Sequence, residues 1–228
     1  MDRRKFLSQG VLAGSAAAFG LSAAAQTNET APLRIIGISC SPRKGKTTSR
    51  AVQIALEAAQ SVSPRIQTQL IDLGEMTVGG WQGGATPETP KEIIDDYSSE
   101  VEPLLETPGL GGLIIGSPVY FRTMSSLCKA LLERMASLRT PKYYLADLPV
   151  GAVAVGSFRN GGQELVIEQI HAAMLCHEAF IVGGKPKGHQ GATLVNAYND
   201  DITKDEIGVQ TARQLGIRVA EAALKTRG

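Results

Sequence analysis

The residues best suited to chemistry stand together in one stretch, Ser39-Cys40-Ser41-Pro42-Arg43-Lys44-Gly45-Lys46-Thr47-Thr48. An apolar run, Leu33–Ile38, precedes it, and an amphipathic helical pattern from about Ser49 to Gln60 follows. The segment therefore reads as a buried strand, a turn and a helix N-terminus. A helix N-terminus offers unpaired N–H groups and a partial positive charge, which together form a ready anion site. Five hydroxyls (Ser39, Ser41, Thr47, Thr48, Ser49) and three cations (Arg43, Lys44, Lys46) surround that point. The simplest guest is a phosphate, although an ordinary capped turn could carry the same residues without one.

The end of the stretch, Gly45-Lys46-Thr47, matches the tail of a P-loop, but Cys40 stands where the first glycine is needed. A P-loop also wants a metal-holding aspartate at the end of a hydrophobic strand, and the best later strand ends in Gly116-Ser117-Pro118. Hydroxyls and amides can wrap a terminal monophosphate without a metal. A mononucleotide monophosphate such as FMN is favoured over ATP or GTP.

The elements that must position this loop alternate along the chain. Strands are expected at Leu33–Ser39, Arg65–Leu73, Leu110–Gly116, Val150–Gly156 and Ala179–Val182. Helices are expected at about Thr48–Ser61, Lys91–Glu106, Ser125–Leu138, Gln163–His177 and Lys204–Lys225, with Gly183–Asp201 as an irregular loop. Leu110–Gly116 is almost wholly apolar, as a central parallel strand covered on both faces should be. Leu127, Leu131, Leu132 and Met135 recur at helical spacing. Five successive βα units imply a doubly wound five-stranded parallel sheet with helices on both faces.

At 228 residues the chain is long enough for one good core. The first 25 residues hold three of the 23 cations and one of the 22 acids, so the remainder is net −1. With 5% aromatic content, that balance gives no support for a nucleic-acid surface. Cys40, Cys128 and Cys176 are odd in number and widely spaced, and His171, His177 and His189 lack metal-ligand spacing. No metal ligand is assigned. Residues 1–25, with Arg3-Arg4-Lys5-Phe6-Leu7 ahead of a short apolar stretch and Ala23-Ala24-Ala25, resemble a twin-arginine signal peptide. The expected location is periplasmic, reached in the folded state through the twin-arginine export machinery. Residues 26–32 read as a linker and 33–228 as the functional domain.

In a doubly wound sheet, ligands bind beyond the carboxyl ends of the strands, where the strand order reverses. Every unusual loop here follows a strand. Besides Ser39–Thr48 there are Gly116-Ser117-Pro118-Val119-Tyr120-Phe121-Arg122-Thr123-Met124 and Gly156-Ser157-Phe158-Arg159-Asn160-Gly161-Gly162-Gln163-Glu164. Pro118 pre-sets an extended turn that displays Val119, Tyr120 and Phe121, a suitable wall for a flat aromatic ligand. Gly161 and Gly162 allow close backbone approach to a ligand edge.

These three segments resemble the flavin loops of the NADPH-dependent FMN reductase family, nearest to its branch related to the iron–sulfur flavoproteins, within the flavodoxin-like fold. The similarity runs from Leu33 to at least Gly184. It implies that 33–228 is a flavodoxin-like FMN-binding domain in which Ser41, Arg43, Lys46, Thr47 and Thr48 hold the FMN phosphate, with Ser39 also among the cofactor-binding residues. Pro118, Val119, Tyr120 and Phe121 would contact the isoalloxazine, and Ser157, Asn160, Gly161 and Gly162 would close over its other edge. It also implies a homodimer whose neighbour helps cover the flavin.

Two departures stand out. The iron–sulfur branch has a cysteine cluster after its second strand, whereas Gly74–Pro90 contains no cysteine. Flavin without an iron–sulfur centre is expected. Cys40 replaces the usual small residue between the first loop's serines and is expected to pack beneath the phosphate. The implied activity is that of an FMN-dependent oxidoreductase, with NAD(P)H or a quinol as donor and a quinone or other small oxidant as acceptor. Hydride would enter and leave through flavin N5. No protein acid or base is obligatory, so no catalytic side chain is assigned. Arg122 and Arg159 flank the ring-facing loops and could act on an anionic substrate or on reduced flavin. The alternatives are an exported FMN electron carrier with a protein partner, and a nucleotide-binding module without flavin.

Overall fold

The structure is a computed structural model that describes residues 31–228 except 87, 88, 91–93, 140, 187 and 198, and only the backbone within 84–90. The twin-arginine segment and most of the 26–32 linker lie outside the described residues. In chain order the elements are β1 (Leu33–Ser39), α1 (Thr47–Gln60), β2 (Ile66–Asp72), β3 (Gly84–Thr86) and β4 (Thr89–Pro90). There follow a π-helical turn (Tyr97–Val101) running into α2 (Glu102–Leu105), then β5 (Leu110–Tyr120), β6 (Thr123–Met124) and α3 (Ser126–Arg134). The chain ends with β7 (Pro149–Gly156), α4 (Gln163–Leu175), β8 (Phe180–Ile181), β9 (Ala192–Val195) and α5 (Glu206–Thr226).

Strands β2, β1, β5 and β7 lie side by side in parallel, so the strand order reverses between β1 and β5. This is the expected flavodoxin-like doubly wound sheet, and it differs in detail at both ends of the prediction. The fifth position is shared by two short strands, β8 against Pro149–Val150 and β9 against Val153–Gly156. The chain leaves the sheet at Gly183-Gly184, where Gly184 N–H donates to Gly188 O at 2.8 Å, and re-enters as β9. That strand lies within the segment expected to be irregular, because four residues are too few to show a period. Strand β5 also continues past Gly116. Pro118 is tolerated there because β1 has already ended, leaving β5 paired only to β7 on that level.

Of the helix expected over Lys91–Glu106, the described part begins at the Tyr97 turn. Asp95 and Asp96 are committed just before it. The Asp95 carboxylate accepts from Ser98 N at 3.2 Å and Gly79 N at 3.0 Å, and that of Asp96 accepts from Thr77 N at 2.6 Å.

Period-two alternation in the strands divides the core into two layers. Ile35, Ile114, Val153 and Val155 face α1 and α5, while Ile36, Ile38, Leu113, Ile115, Ala152 and Ala154 face the Tyr97 turn, α3 and α4. The position of α1 depends on two glycines beneath it. A Cβ on Gly116 would lie 2.3 Å from Val52 Cγ2, and one on Gly37 2.5 Å from Val52 Cγ1. Bare backbone at both positions lets α1 settle low on the sheet, which brings its N-terminus to the ends of β1 and β5.

Candidate functional site

The first loop forms a cup of donors with no internal acceptor. Lys46 is the N-cap of α1 and makes no side-chain cap, and the first-turn N–H groups of Thr47, Thr48 and Ser49 find no acceptor among the described residues. These three residues are 3%, 1% and 5% exposed. Ser39 Oγ is fully buried and also lacks a partner among the described residues. A buried hydroxyl left unsatisfied costs about 1–3 kcal/mol. Three oxygens of a phosphate monoester would satisfy this donor set, so the chemistry of the cup fits the phosphate end of a mononucleotide. Ser41 Oγ contributes to the loop's own shape, accepting from Arg43 N at 3.1 Å.

The structure separates the three loop cations. Arg43 is held by both Asp200 carboxylate oxygens at 3.0 Å, and Lys44 stands 3.7 Å from Glu75. Lys46 has no ion pair among the described residues. The Asn196 amide, at 2.9 Å, and then the Arg43 guanidinium hold the Asp200 carboxyl below the usual carboxylate range. Asp72, at the end of β2, accepts from Gly45 N at 2.7 Å and Gly74 N at 3.1 Å and so fixes the outer side of the loop.

The second loop is a tight hairpin. Val119 and Tyr120 pair antiparallel with Met124 and Thr123, and the two residues between, Phe121 and Arg122, have φ of 52° and 66°. Pro118 is buried, Tyr120 is half exposed and Phe121 fully exposed at the rim. Buried hydroxyls tie this loop to the first. Ser125 Oγ donates to Cys40 O at 2.7 Å and accepts from Cys128 N at 3.0 Å, while Ser125 N donates to Ser117 Oγ at 3.0 Å. Cys40 and Cys128 lie buried beneath this bridge. Burial pushes the Cys40 thiol up, and the neighbouring Cys128 and Asp72 push in the same direction.

The third loop wraps the side chain of Gln163. That amide accepts from Gly161 N at 2.9 Å and donates to Phe158 O at 2.6 Å and Leu194 O at 3.2 Å, leaving Ser157, Phe158, Arg159 and Asn160 exposed. Arg159 pairs with Asp205 and donates to Thr193 O at 3.3 Å. Gly162 has φ 109°, and a Cβ on it would come within 3.0 Å of Arg122 Cα. The second and third loops therefore meet backbone to backbone at Gly162.

The predicted site residues fall into three neighbouring groups. Ser39, Ser41, Lys46, Thr47 and Thr48 surround the cup; Pro118, Val119, Tyr120 and Phe121 form the hairpin; Ser157, Asn160, Gly161 and Gly162 form the far edge. Arg43 is drawn outward to Asp200. Sequence reasoning did not find Ser125 or Asp72 as loop fasteners, nor the Asp200 and Asn196 pair. Their partners lie far away in sequence, and no short motif marks them. Among the described residues no group of side chains is arranged to hold a metal. His177 is buried and His171 half-buried, and loss of solvent lowers both to about 4, with Arg139 adding to the effect at His177. An apolar groove of about 930 Å³ runs from Met124 between α3 and α4, past Leu132 and Ala173, to Cys176.

The family described as NADPH-dependent FMN reductase matches residues 33–191. An iron–sulfur flavoprotein of Methanocaldococcus jannaschii is 39% identical across 83% of this chain and 96% of its own. One from Methanosarcina thermophila is 30% identical across 80% and 93%. Among solved structures, a WrbA-like flavodoxin protein from Agrobacterium tumefaciens superposes with a TM-score of 0.57 at 15% identity, over 86% of this chain and 99% of that one. That likeness is one of fold.

Proposed function

Because the chain belongs to the NADPH-dependent FMN reductase family and is thereby an FMN-dependent oxidoreductase, we propose that it carries electrons from NAD(P)H or a quinol to a quinone or another small acceptor. One observation carries the assignment of the phosphate end. Among the described residues, the buried Ser39 hydroxyl and the first-turn N–H groups of α1 are all without acceptors, beside a lysine without an ion pair. Thr47, Thr48 and Ser41 complete the phosphate site, and Lys46 offsets its charge. Arg43 joins them on exchanging Asp200 for a phosphate oxygen.

The hairpin residues Pro118, Val119, Tyr120 and Phe121 form one wall for the ring, and Ser157, Asn160, Gly161 and Gly162 form the other. When bound, the flavin supplies the hydride and electron transfer. The protein positions it and excludes water, so no side chain is given an acid or base role. We assign no iron–sulfur centre, since the all-cysteine clusters take four thiolates and this chain has three cysteines, two of them, Cys40 and Cys128, buried.

Export to the periplasm by the twin-arginine route is supported by Arg3-Arg4 ahead of Phe6-Leu7. It favours a quinol as donor there, because a dinucleotide does not cross the inner membrane freely. A homodimer is supported by the apolar α3–α4 groove, which a second copy would cover beside the ring.

The test is to purify the exported protein, release and identify its cofactor, measure iron, and follow NADPH or quinol oxidation with and without added quinone. One FMN per chain, no iron and quinone-dependent turnover are expected. Colourless protein that ignores added FMN would end the flavin reading. Bound FMN with no turnover on any donor would assign the electron-carrier role instead.

A further inference from the structure

We propose that Arg122 compensates the negative charge that the bound flavin acquires on reduction, and thereby raises its potential. The proposal rests on FMN occupying the rim described above, and three observations carry it.

The first is the backbone. Phe121 and Arg122 both have positive φ, 52° and 66°, in a two-residue hairpin of the kind in which asparagine and glycine are favoured at both positions. Glycine would adopt this conformation without strain, whereas an arginine does so at a cost. The chain thus holds a long cationic side chain at a point where the backbone disfavours any side chain.

The second is the seat. Gly162, itself at φ 109°, presents bare backbone to this residue. A Cβ there would lie 3.0, 3.1 and 3.3 Å from Arg122 Cα, Cβ and Cγ. The arginine stem is therefore fitted into the junction of the two loops that form the ring walls.

The third is charge. Arg159, the other arginine of the ring-facing loops, is committed to Asp205 and Thr193 O, and Arg43 to Asp200. Arg122 is exposed and makes no hydrogen bond or ion pair among the described residues. Its charge is available to the rim.

Adding two electrons and one proton to the neutral oxidised ring leaves one net negative charge. In the enzyme they come from the donor proposed above, and in the assay from dithionite and solvent. A guanidinium beside the ring would stabilise that charge and do little for the neutral oxidised ring. At an exposed rim the preference amounts to about tenfold in affinity.

The experiment measures the two-electron potential of bound FMN by dye equilibration, and the dissociation constant of oxidised FMN by fluorescence quenching. The proteins are wild type, Arg122→Ala, Arg122→Gly and Arg122→Lys. Arg122→Ala and Arg122→Gly are expected to bind oxidised FMN within about twofold of wild type and to lower the potential by about 30 mV, the equivalent of tenfold for two electrons. Arg122→Lys should keep most of the potential. Arg122→Gly should also melt at a higher temperature than Arg122→Ala, because it relieves the backbone. Unchanged potentials would overturn the proposal. So would an equal loss of oxidised and reduced affinity, or a raised KM for NADPH alone, which would assign Arg122 to the dinucleotide. Wild type that binds no FMN would overturn the flavin reading itself, an outcome distinct from any of these.

Discussion

Replacing Thr47 and Thr48 together with valine tests whether the first loop is a phosphate site. The two residues are 3% and 1% exposed, and their hydroxyls make no hydrogen bond among the described residues, so the apo fold loses no bond of its own. Valine keeps the β-branched shape and has a similar helix propensity. Against a bound phosphate the change removes two hydrogen bonds to a charged group, worth about 1.5–3 kcal/mol each. Even the lower figure gives about 3 kcal/mol for the pair, or roughly a hundredfold in dissociation constant. Ser39, Lys46 and the three first-turn N–H groups remain, so binding should weaken and not vanish. The assay is quenching of flavin fluorescence by the apoprotein, with FMN and riboflavin run in parallel. FMN affinity should fall by about a hundredfold while riboflavin, which has no phosphate, is unaffected. An FMN change below about fivefold, or an equal loss for riboflavin, would refute the phosphate assignment.

Gly116→Ala should destabilise the fold by about 1–3 kcal/mol in urea unfolding, because its Cβ would collide with Val52 Cγ2. Adding Val52→Ala should recover part of that loss, a coupling absent if the collision is unimportant. Arg134→Ala strands the Asp95 carboxylate, whose side chain is 4% exposed, and should cost about 3–5 kcal/mol by the same measurement. Burial acts to raise the Asp95 carboxyl, but the Gly79 and Ser98 N–H groups and Arg134 outweigh it and hold it below its ordinary value. Its contribution is therefore complete above the ordinary carboxylate pKa near 4 and is lost as pH falls below that, a limb that Asp95→Asn should remove. His171 and His177 behave in the same direction for a different reason. The unfolded chain protonates them near 6.5 and the folded chain only near 4, so stability should decline between those pH values. The double change His171→Gln/His177→Gln should flatten that decline; an unaltered slope would show that neither imidazole is buried neutral.

Much of the fold was readable because its signals are local. The apolar run Leu110–Gly116 marks a strand covered on both faces, and the spacing of Leu127, Leu131, Leu132 and Met135 marks the face of α3. Strand β9 was not readable. Its four residues resemble loop, and it is a strand because Val153–Gly156 offers it a free edge. The extension of β5 through Pro118 escaped for a related reason. A proline ends a strand in general, but not where the neighbour on one side has already stopped.

The amino-acid sequence by itself determined the anion cup and the three loops around it. A strand followed by hydroxyl-rich turn and helix puts N–H groups at the turn whatever surrounds it, because that geometry is set by bonds within a few residues. Only the tertiary structure decided which charges remain available there. Arg43 pairs with a carboxylate 157 positions away, and Arg159 with one 46 positions away, while Arg122 and Lys46 form no ion pair among the described residues. Electrostatic attraction acts between neighbours in space, and the fold alone makes neighbours of residues so far apart along the chain.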